Sequence, residues 1–377
     1  MIYLDNAATT CMFKEAMAVY EEYACHNFFN PSAGYDLAYN ITKKLSEVRN
    51  NLIEKLGLNS GNVIFTSGAT ESNNLAIMGS KRNGKWEYVF TEGEHACVYN
   101  TAKELERQGN VVHFIKLQNN GQIDYDELEK VLNSKTRLIS TIHVSNETGA
   151  INDLERISKI KERLAPNALF HVDGVQAFCK IPFSLDDYDV DFYTISAHKF
   201  HGPKGVGALY VKNMQNIKNI VFGGGQEFTI RSGTENVPGI MAMNYAFTNI
   251  NVNENYEKVK VLNKILCGIL CSDENISVLK VDSPYILSVA FKDVNGETLT
   301  RALQDEGVYV GTGSACSTKK AGNRILESMG EDKNFIKTHI RISLSAYLTE
   351  EEVKEAGKLI IKTYRKIWEK VKWEVFY

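Results

Sequence analysis

Through its first two thirds this chain alternates short apolar runs with longer segments whose apolar residues recur every three or four positions. The runs Val63–Phe65, Tyr88–Thr91, Val111–Ile115, Leu138–His143, Leu169–Asp173, Phe192–Ser196 and Gly207–Val211 are strand candidates. Between them, Tyr125–Leu132 and Asp153–Leu164 carry a helical period. Such alternation calls for crossover helices between neighbouring strands, so the fold class is α/β with a largely parallel sheet. In sheets of this kind ligands gather at the carboxyl ends of the strands.

The last third reads differently. Ile286–Phe291 has the look of a strand and Gly296–Glu306 of a helix. Thr349, followed three residues later by Glu352, forms a capping box that opens a long helix through Val353–Lys372. The polar stretch Asn249–Asn255 marks a boundary near residue 250. The expected organisation is a large α/β domain followed by a smaller α+β unit.

Composition removes several functions. The net charge is -3, which supplies no basic field for nucleic acid or an anionic membrane. No apolar stretch approaches the roughly 18 residues of a membrane span. Met1-Ile2-Tyr3-Leu4-Asp5-Asn6 has neither a basic region nor a signal-type apolar core, so a cytoplasmic location is expected. The seven cysteines are odd in number and include no Cys-x-x-Cys pair, which argues against a disulfide framework or a zinc site. Cys267 and Cys271 stand at helical spacing and are expected to face a core as small hydrophobes.

Chemistry concentrates at the strand ends. Lys199 follows Tyr193-Thr194-Ile195-Ser196-Ala197-His198 and precedes a Gly/Pro-rich turn. A lysine on such a loop, poor in neutralising carboxylates, suits a Schiff base with pyridoxal phosphate, because imine chemistry needs a positioned, partly desolvated amine. Asp173 ends another strand and could pair with a protonated pyridine nitrogen; it could equally cap the following helix. Gln176, three residues on, could reach a ring hydroxyl. Ser67-Gly68-Ala69-Thr70 reads as a strand-to-helix turn whose backbone amides can hold a phosphate. His95 could lie over a flat ring and relay protons, or serve structure alone. Asn146 could hold the ring oxygen or a substrate carboxylate. Gly311-Thr312-Gly313-Ser314-Ala315-Cys316 is followed by Lys319 and Lys320, a setting that favours the reactive thiolate of Cys316. Arg341 offers a bidentate grip on an α-carboxylate.

With these residues in view, the chain resembles the cysteine desulfurases that supply sulfur for iron–sulfur cluster and nitrogenase assembly. These belong to the class V aminotransferase group of pyridoxal-phosphate enzymes. The motifs Ser-Gly-Ala-Thr-Glu, Val-Asp-x-x-Gln, Ser-x-His-Lys, Arg-Ser-Gly-Thr and Gly-Ser-Ala-Cys occur in this order. The likeness runs from Leu4-Asp5-Asn6-Ala7-Ala8-Thr9-Thr10 through Arg341-Ile342-Ser343-Leu344. It implies a fold of pyridoxal-phosphate type I, with a mostly parallel seven-stranded sheet in a cofactor-binding domain over residues 15–250. Residues 1–14 and 251–377 would then form the small domain that carries the cysteine.

The resemblance also implies roles. Lys199 would hold the cofactor covalently, and His95 would stack on it and shuttle protons. Asp173 would pair the pyridine nitrogen, with Gln176 and Asn146 around the ring hydroxyl. Ala69, Thr70, Ser196 and His198 would form the phosphate cup, and Thr234 would reach the phosphate of the other subunit in a homodimer. Cys316 would accept sulfur from L-cysteine as a persulfide, Arg341 would anchor the carboxylate, and alanine would be released. An acceptor such as an iron–sulfur scaffold or a thiolation enzyme would take the sulfur on. A lyase acting on selenocysteine or cysteine sulfinate is the alternative. Phe29-Asn30-Pro31-Ser32-Ala33-Gly34-Tyr35 departs from the family pattern in lacking its glycine, second serine and histidine, and Cys11 stands where proline is usual.

Overall fold

The computed structural model describes residues 1–312 and 324–376. Its strands are β1 (Ile2–Tyr3), β2 (Asn62–Thr66), β3 (Glu87–Thr91), β4 (Val111–Ile115), β5 (Thr136–Ile142), β6 (Leu169–Asp173), β7 (Phe192–Ser196), β8 (Gly207–Val211), β9 (Ile276–Val278), β10 (Ile286–Phe291), β11 (Val308–Tyr309) and β12 (His339–Ser343). Seven of them form one sheet in the order β2-β8-β7-β6-β5-β3-β4. Only β8 runs against its neighbours β2 and β7. The remaining pairs in this sheet are parallel. Strands β6, β7 and β8 are buried along their whole length, as expected when helices cover both faces.

The helices are α1 (Lys14–Glu21), α2 (Asp36–Lys55), α3 (Ala69–Gly79), α4 (Ala96–Arg107), α5 (Tyr125–Val131), α6 (Leu154–Leu164), α7 (Val237–Thr248), α8 (Val252–Leu270), α9 (Gly296–Asp305), α10 (Arg324–Ser328), α11 (Lys333–Thr338) and α12 (Glu350–Phe376). Their starts follow local chemistry. Asp124, Asp153, Asn251 and Asn295 each accept backbone N–H bonds at the head of α5, α6, α8 and α9. Thr349 and Glu352 exchange the reciprocal bonds of a capping box, with Glu352 N donating to Thr349 Oγ1 at 3.1 Å and Thr349 N to Glu352 Oε2 at 2.8 Å.

One face of the large sheet packs on Ile41, Leu45, Val48 and Leu52 of α2, with α6 and α7. The other packs on Leu75, Ala76 and Ile77 of α3 and Val98, Ala102 and Leu105 of α4. A separate core gathers α8, α9, α12, β10 and β12, and Ile2, Leu4 and Ala7 from the N-terminus join it. There β10 lies antiparallel between β12 and β9.

Cys267 is half-buried against this second core. Cys271 corrects the expectation that it faces a core: it is exposed, because it is the cap residue just past the last turn of α8.

Candidate active site

The carboxyl ends of β2, β3, β5, β6 and β7 point to the same edge of the sheet, and the loops that carry Ala69, His95, Asn146, Asp173 and Lys199 follow them, whereas Arg341 comes from β12 of the second sheet. After β2 the chain turns at Gly68, whose φ of 144° suits glycine, and α3 begins at Ala69 with no side-chain cap. Gly207 of β8 lies against this turn so closely that a Cβ on it would stand 2.7 Å from Gly68 Cα. The Ser196 hydroxyl faces the same turn, 3.6 Å from where a Cβ on Gly68 would stand. An uncapped helix N-terminus bordered by small residues and hydroxyls is the setting that receives a phosphate.

Asp173 ends β6 and is 2% exposed. Its Oδ2 accepts from Asn73 Nδ2 at 2.8 Å, and its Oδ1 from the Val175 N–H at 3.1 Å. Both donors are neutral. A buried carboxylate held by neutral donors is left needing a cation, since desolvation of a charge is costly without one.

Lys199 closes the short turn after β7. Its Nζ donates to the carbonyls of Ala7 and Ala8 at 2.8 Å each. Desolvation, aided by Arg341 and opposed by Asp173 and Asp5, lowers its pKa to about 8. The N-terminal segment is stitched to this loop. Thr10 Oγ1 donates to the His198 carbonyl at 2.9 Å, and Thr9 Oγ1 lies 3.1 Å from His198 Nδ1. Burial, with Lys199 nearby, brings the His198 pKa down to about 4, so its ring is neutral.

His95 follows β3 and caps α4, its Nδ1 accepting from Cys97 N at 3.3 Å. The cap bond gives this histidine a structural role. Its side chain is exposed by area, yet crowding desolvates the ring and lowers its pKa, with Asp173 opposing. The Cys97 thiol lies 3.0 Å from Nδ1 and accepts from Asn73 Nδ2 at 3.3 Å. Burial, then the Asp173 charge, pushes Cys97 up to about 12. Cys97 thus stays a neutral thiol between His95 and Asn73.

Arg341, on β12, is buried. Its Nη2 donates to Asp5 Oδ1 at 2.8 Å, and its Nη1 to the Asn146 carbonyl at 3.0 Å and to Glu147 Oε1 at 3.4 Å. Among the described residues, its Nε is buried without a partner, and so is Asn146 Oδ1. Gln176 is committed within the protein: Nε2 donates to the Ala7 carbonyl at 2.9 Å, and Oε1 accepts from Lys180 Nζ at 2.6 Å. Lys180 is itself buried, and desolvation, with Lys199 and Arg341 nearby, brings its pKa to about 7.

Cys97 ties Thr70 and His95 to Asn73 and so to Asp173, the Ala7 carbonyl ties Lys199 to Gln176, and Arg341 is tied to the N-terminal segment through Asp5. Thr234 is exposed and shares a depression with Thr66 and Ser67, which lead into the Gly68 turn, and with Gly205 and Arg231. Cys316 lies outside the described residues. Sequence reasoning passed over Asn73, Cys97, Asp5 and Lys180. Asn73 lies one helical turn beyond Ala69, and Cys97 two residues after His95, but nothing local marks Asn73 as a partner of Asp173 or Cys97 as a partner of Asn73.

A buried anion short of a cation, an amine made nucleophilic by desolvation and an open helix end together suit pyridoxal 5'-phosphate, and the molecule is of the α/β pyridoxal-phosphate class. The aminotransferase class-V family pattern matches residues 2–355, and the chain belongs to that family. It is 34% identical over 368 residues to cysteine desulfurase 2 of Trichormus variabilis, covering 96% of this chain and 92% of the relative. It is 35% identical over 390 residues to cysteine desulfurase IscS of Buchnera aphidicola, covering 100% of this chain and 96% of the relative. A solved NifS-like protein superimposes with a TM-score of 0.89 at 33% identity, covering 95% of this chain and 98% of the other.

Proposed function

We propose that this chain is a pyridoxal-phosphate-dependent cysteine desulfurase, which converts L-cysteine to L-alanine and passes the sulfur to Cys316 as a persulfide. The observation that carries the reading is the buried Asp173 carboxylate, held by neutral donors in electrostatic reach of the desolvated Lys199. The family and the desulfurase relatives add to it.

When bound, the cofactor supplies an electron sink for the bonds at the substrate's α-carbon. Asp173 would hold its ring cation, the N-terminus of α3 with Thr70, Ser196 and His198 its phosphate, and Asn146 and Gln176 the ring's oxygen side. Lys199, with a pKa near 8, can both release and take a proton at the α-carbon near neutral pH. His95 would share this proton transfer with Lys199, so exchange of the α-proton depends on both groups. Arg341 would bind the substrate carboxylate through the buried Nε donor that has no partner among the described residues. The Cys316 thiolate would attack the substrate sulfur. An S–S bond forms, the Cβ–S bond breaks with its electron pair left on Cβ, and Cβ takes a proton to give alanine.

Residues 15–250 serve as the cofactor-binding domain in this reading, and 1–14 with 251–377 as the small domain. A homodimer would place Thr234 against the other subunit's phosphate. Phe222 is 81% exposed in the loop before Thr234 and Phe228 51%, apolar surface of the kind that a second copy covers. No helix among the described residues is long and apolar enough to cross a membrane. A cytoplasmic sulfur acceptor, whether an iron–sulfur scaffold or a thiolation enzyme, would receive the persulfide.

The test is alanine and sulfide release from L-cysteine with a reductant, for the intact protein and Cys316→Ala. Equal yields from the intact protein, both lost in the variant, support the proposal. Turnover surviving in the variant sinks it in favour of a direct lyase.

A further inference from the structure

Arg324 opens the short helix α10, far in sequence from His95, yet it grips the chain on both sides of that histidine. Its Nη1 donates to the Glu92 carbonyl and its Nη2 to the Glu94 carbonyl. Nη1 also lies 3.2 Å from Glu92 Oε2. The guanidinium carbon sits 4.1 Å from the centre of the Tyr99 ring, which lies one turn beyond His95 on α4. The loop between β3 and α4 is therefore fixed before the histidine by two carbonyls and after it by a cation–π stack.

The base of this grip is firm. Ile325 and Leu326 are buried with Leu117 and Met329, and Ser328 Oγ accepts the Leu117 N–H at 3.2 Å. Leu117 in turn backs the loop from below; a Cβ on Gly93 would meet its Cδ2 at 3.3 Å. Glu92, Gly93 and Glu94 are thus held between Leu117 and the guanidinium. A planar fork with five donors can bind two carbonyls while stacking on a ring, which a lysine ammonium cannot do.

We infer that Arg324 is a positioning residue for His95, fixing the loop that aims the imidazole into the site. This rests on the reading of the site given above. Proton transfer loses rate steeply when the transferring group is misplaced, so the loss should fall on kcat and leave KM alone.

The test avoids the chemistry of Cys316 by following exchange of the α-proton of L-alanine with D2O, catalysed by the cofactor-loaded protein. Arg324→Ala should slow exchange at saturating alanine at least tenfold, with KM within twofold and the cofactor absorbance and melting midpoint unchanged. Arg324→Lys should restore only a minor part of the rate. Backbone amides of residues 93–98 should exchange hydrogen at least fivefold faster in Arg324→Ala, with the rest of the sheet unaffected. If Arg324→Ala does not fold, Tyr99→Leu, which removes only the stack, should show the same split to a smaller degree. Wild-type exchange rates in the folded variants, or unchanged amide exchange at 93–98, overturn the inference alone. An intact protein that exchanges no α-proton overturns the site reading along with it.

Discussion

Asn73 donates from Nδ2 to Asp173 Oδ2 at 2.8 Å, across a gap of 100 residues. This bond ties the helix whose open N-terminus suits a phosphate to the strand end whose carboxylate suits a ring cation. The same amide nitrogen contacts the Cys97 sulfur at 3.3 Å, and Asn73 Oδ1 lies 3.1 Å from His171 Nε2. One side chain thereby coordinates three neighbours of the candidate cofactor site.

Asn73→Ala should weaken cofactor binding without removing it. The lost bond goes to a charged, buried acceptor, for which about 1.5–3 kcal/mol is typical. Pyridoxal phosphate titrated into the protein and followed by absorbance should give a Kd raised by roughly tenfold or more. An unchanged Kd would show that the Asp173 carboxylate does not need this donor.

Lys199 has a pKa lowered to about 8 by desolvation. The neutral amine is the nucleophile, so its fraction grows with pH and saturates above the pKa. The rate of pyridoxal phosphate uptake by cofactor-free protein should rise with pH and level off above about 8. Lys199→Ala should bind the cofactor without its becoming fixed by borohydride. A rate still climbing at pH 10 would place the amine in an ordinary solvated setting.

Lys180 offers a stability test. Its folded-state pKa, lowered to about 7 by burial, lies below the roughly 10.4 of an unfolded lysine. Between these values the unfolded chain binds more protons, so stability rises with pH across that window. Urea midpoints should therefore climb from pH 7 to 10 in the wild type, and the climb should be shallower in Lys180→Met. Parallel profiles would mean that Lys180 is no better hidden from water than a surface lysine.

Thr349→Ala breaks the capping box at the head of α12, where Glu352 N donates to Thr349 Oγ1. The cost should be about 1 kcal/mol of stability, read from urea unfolding. Desulfuration should be unaffected, because α12 builds the second core and not the sheet edge.

Arg341→Lys should raise KM for L-cysteine at least tenfold with a smaller effect on kcat. The guanidinium is bracketed by Asp5 and Glu147, and a lysine cannot satisfy both while offering a further planar donor. A KM near that of the wild type would mean that the substrate carboxylate is bound elsewhere.

What the sequence determined by itself is local. The runs Val111–Ile115, Leu169–Asp173, Phe192–Ser196 and Gly207–Val211 carried their own strand signal and are strands over those spans. Thr349 and Glu352 stand three residues apart, so their capping box could be read directly. Lys199, Asp173 and His95 were marked by following strands, since strand ends are where an α/β sheet presents its chemistry. The tertiary structure decided which of these residues meet. Arg341 finds Asp5 over a separation of 336 residues, and Lys199 reaches the Ala7 carbonyl over 192. Asn73, Cys97 and Arg324 matter only because sheet order and helix packing bring α3, α4 and α10 to one edge. Cys271 went the other way, exposed where its spacing suggested burial, because the helix ends beneath it. Periodicity and capping act within a few residues of chain. Hydrogen bonds between distant segments depend on strand order and register, which no single stretch of sequence encodes.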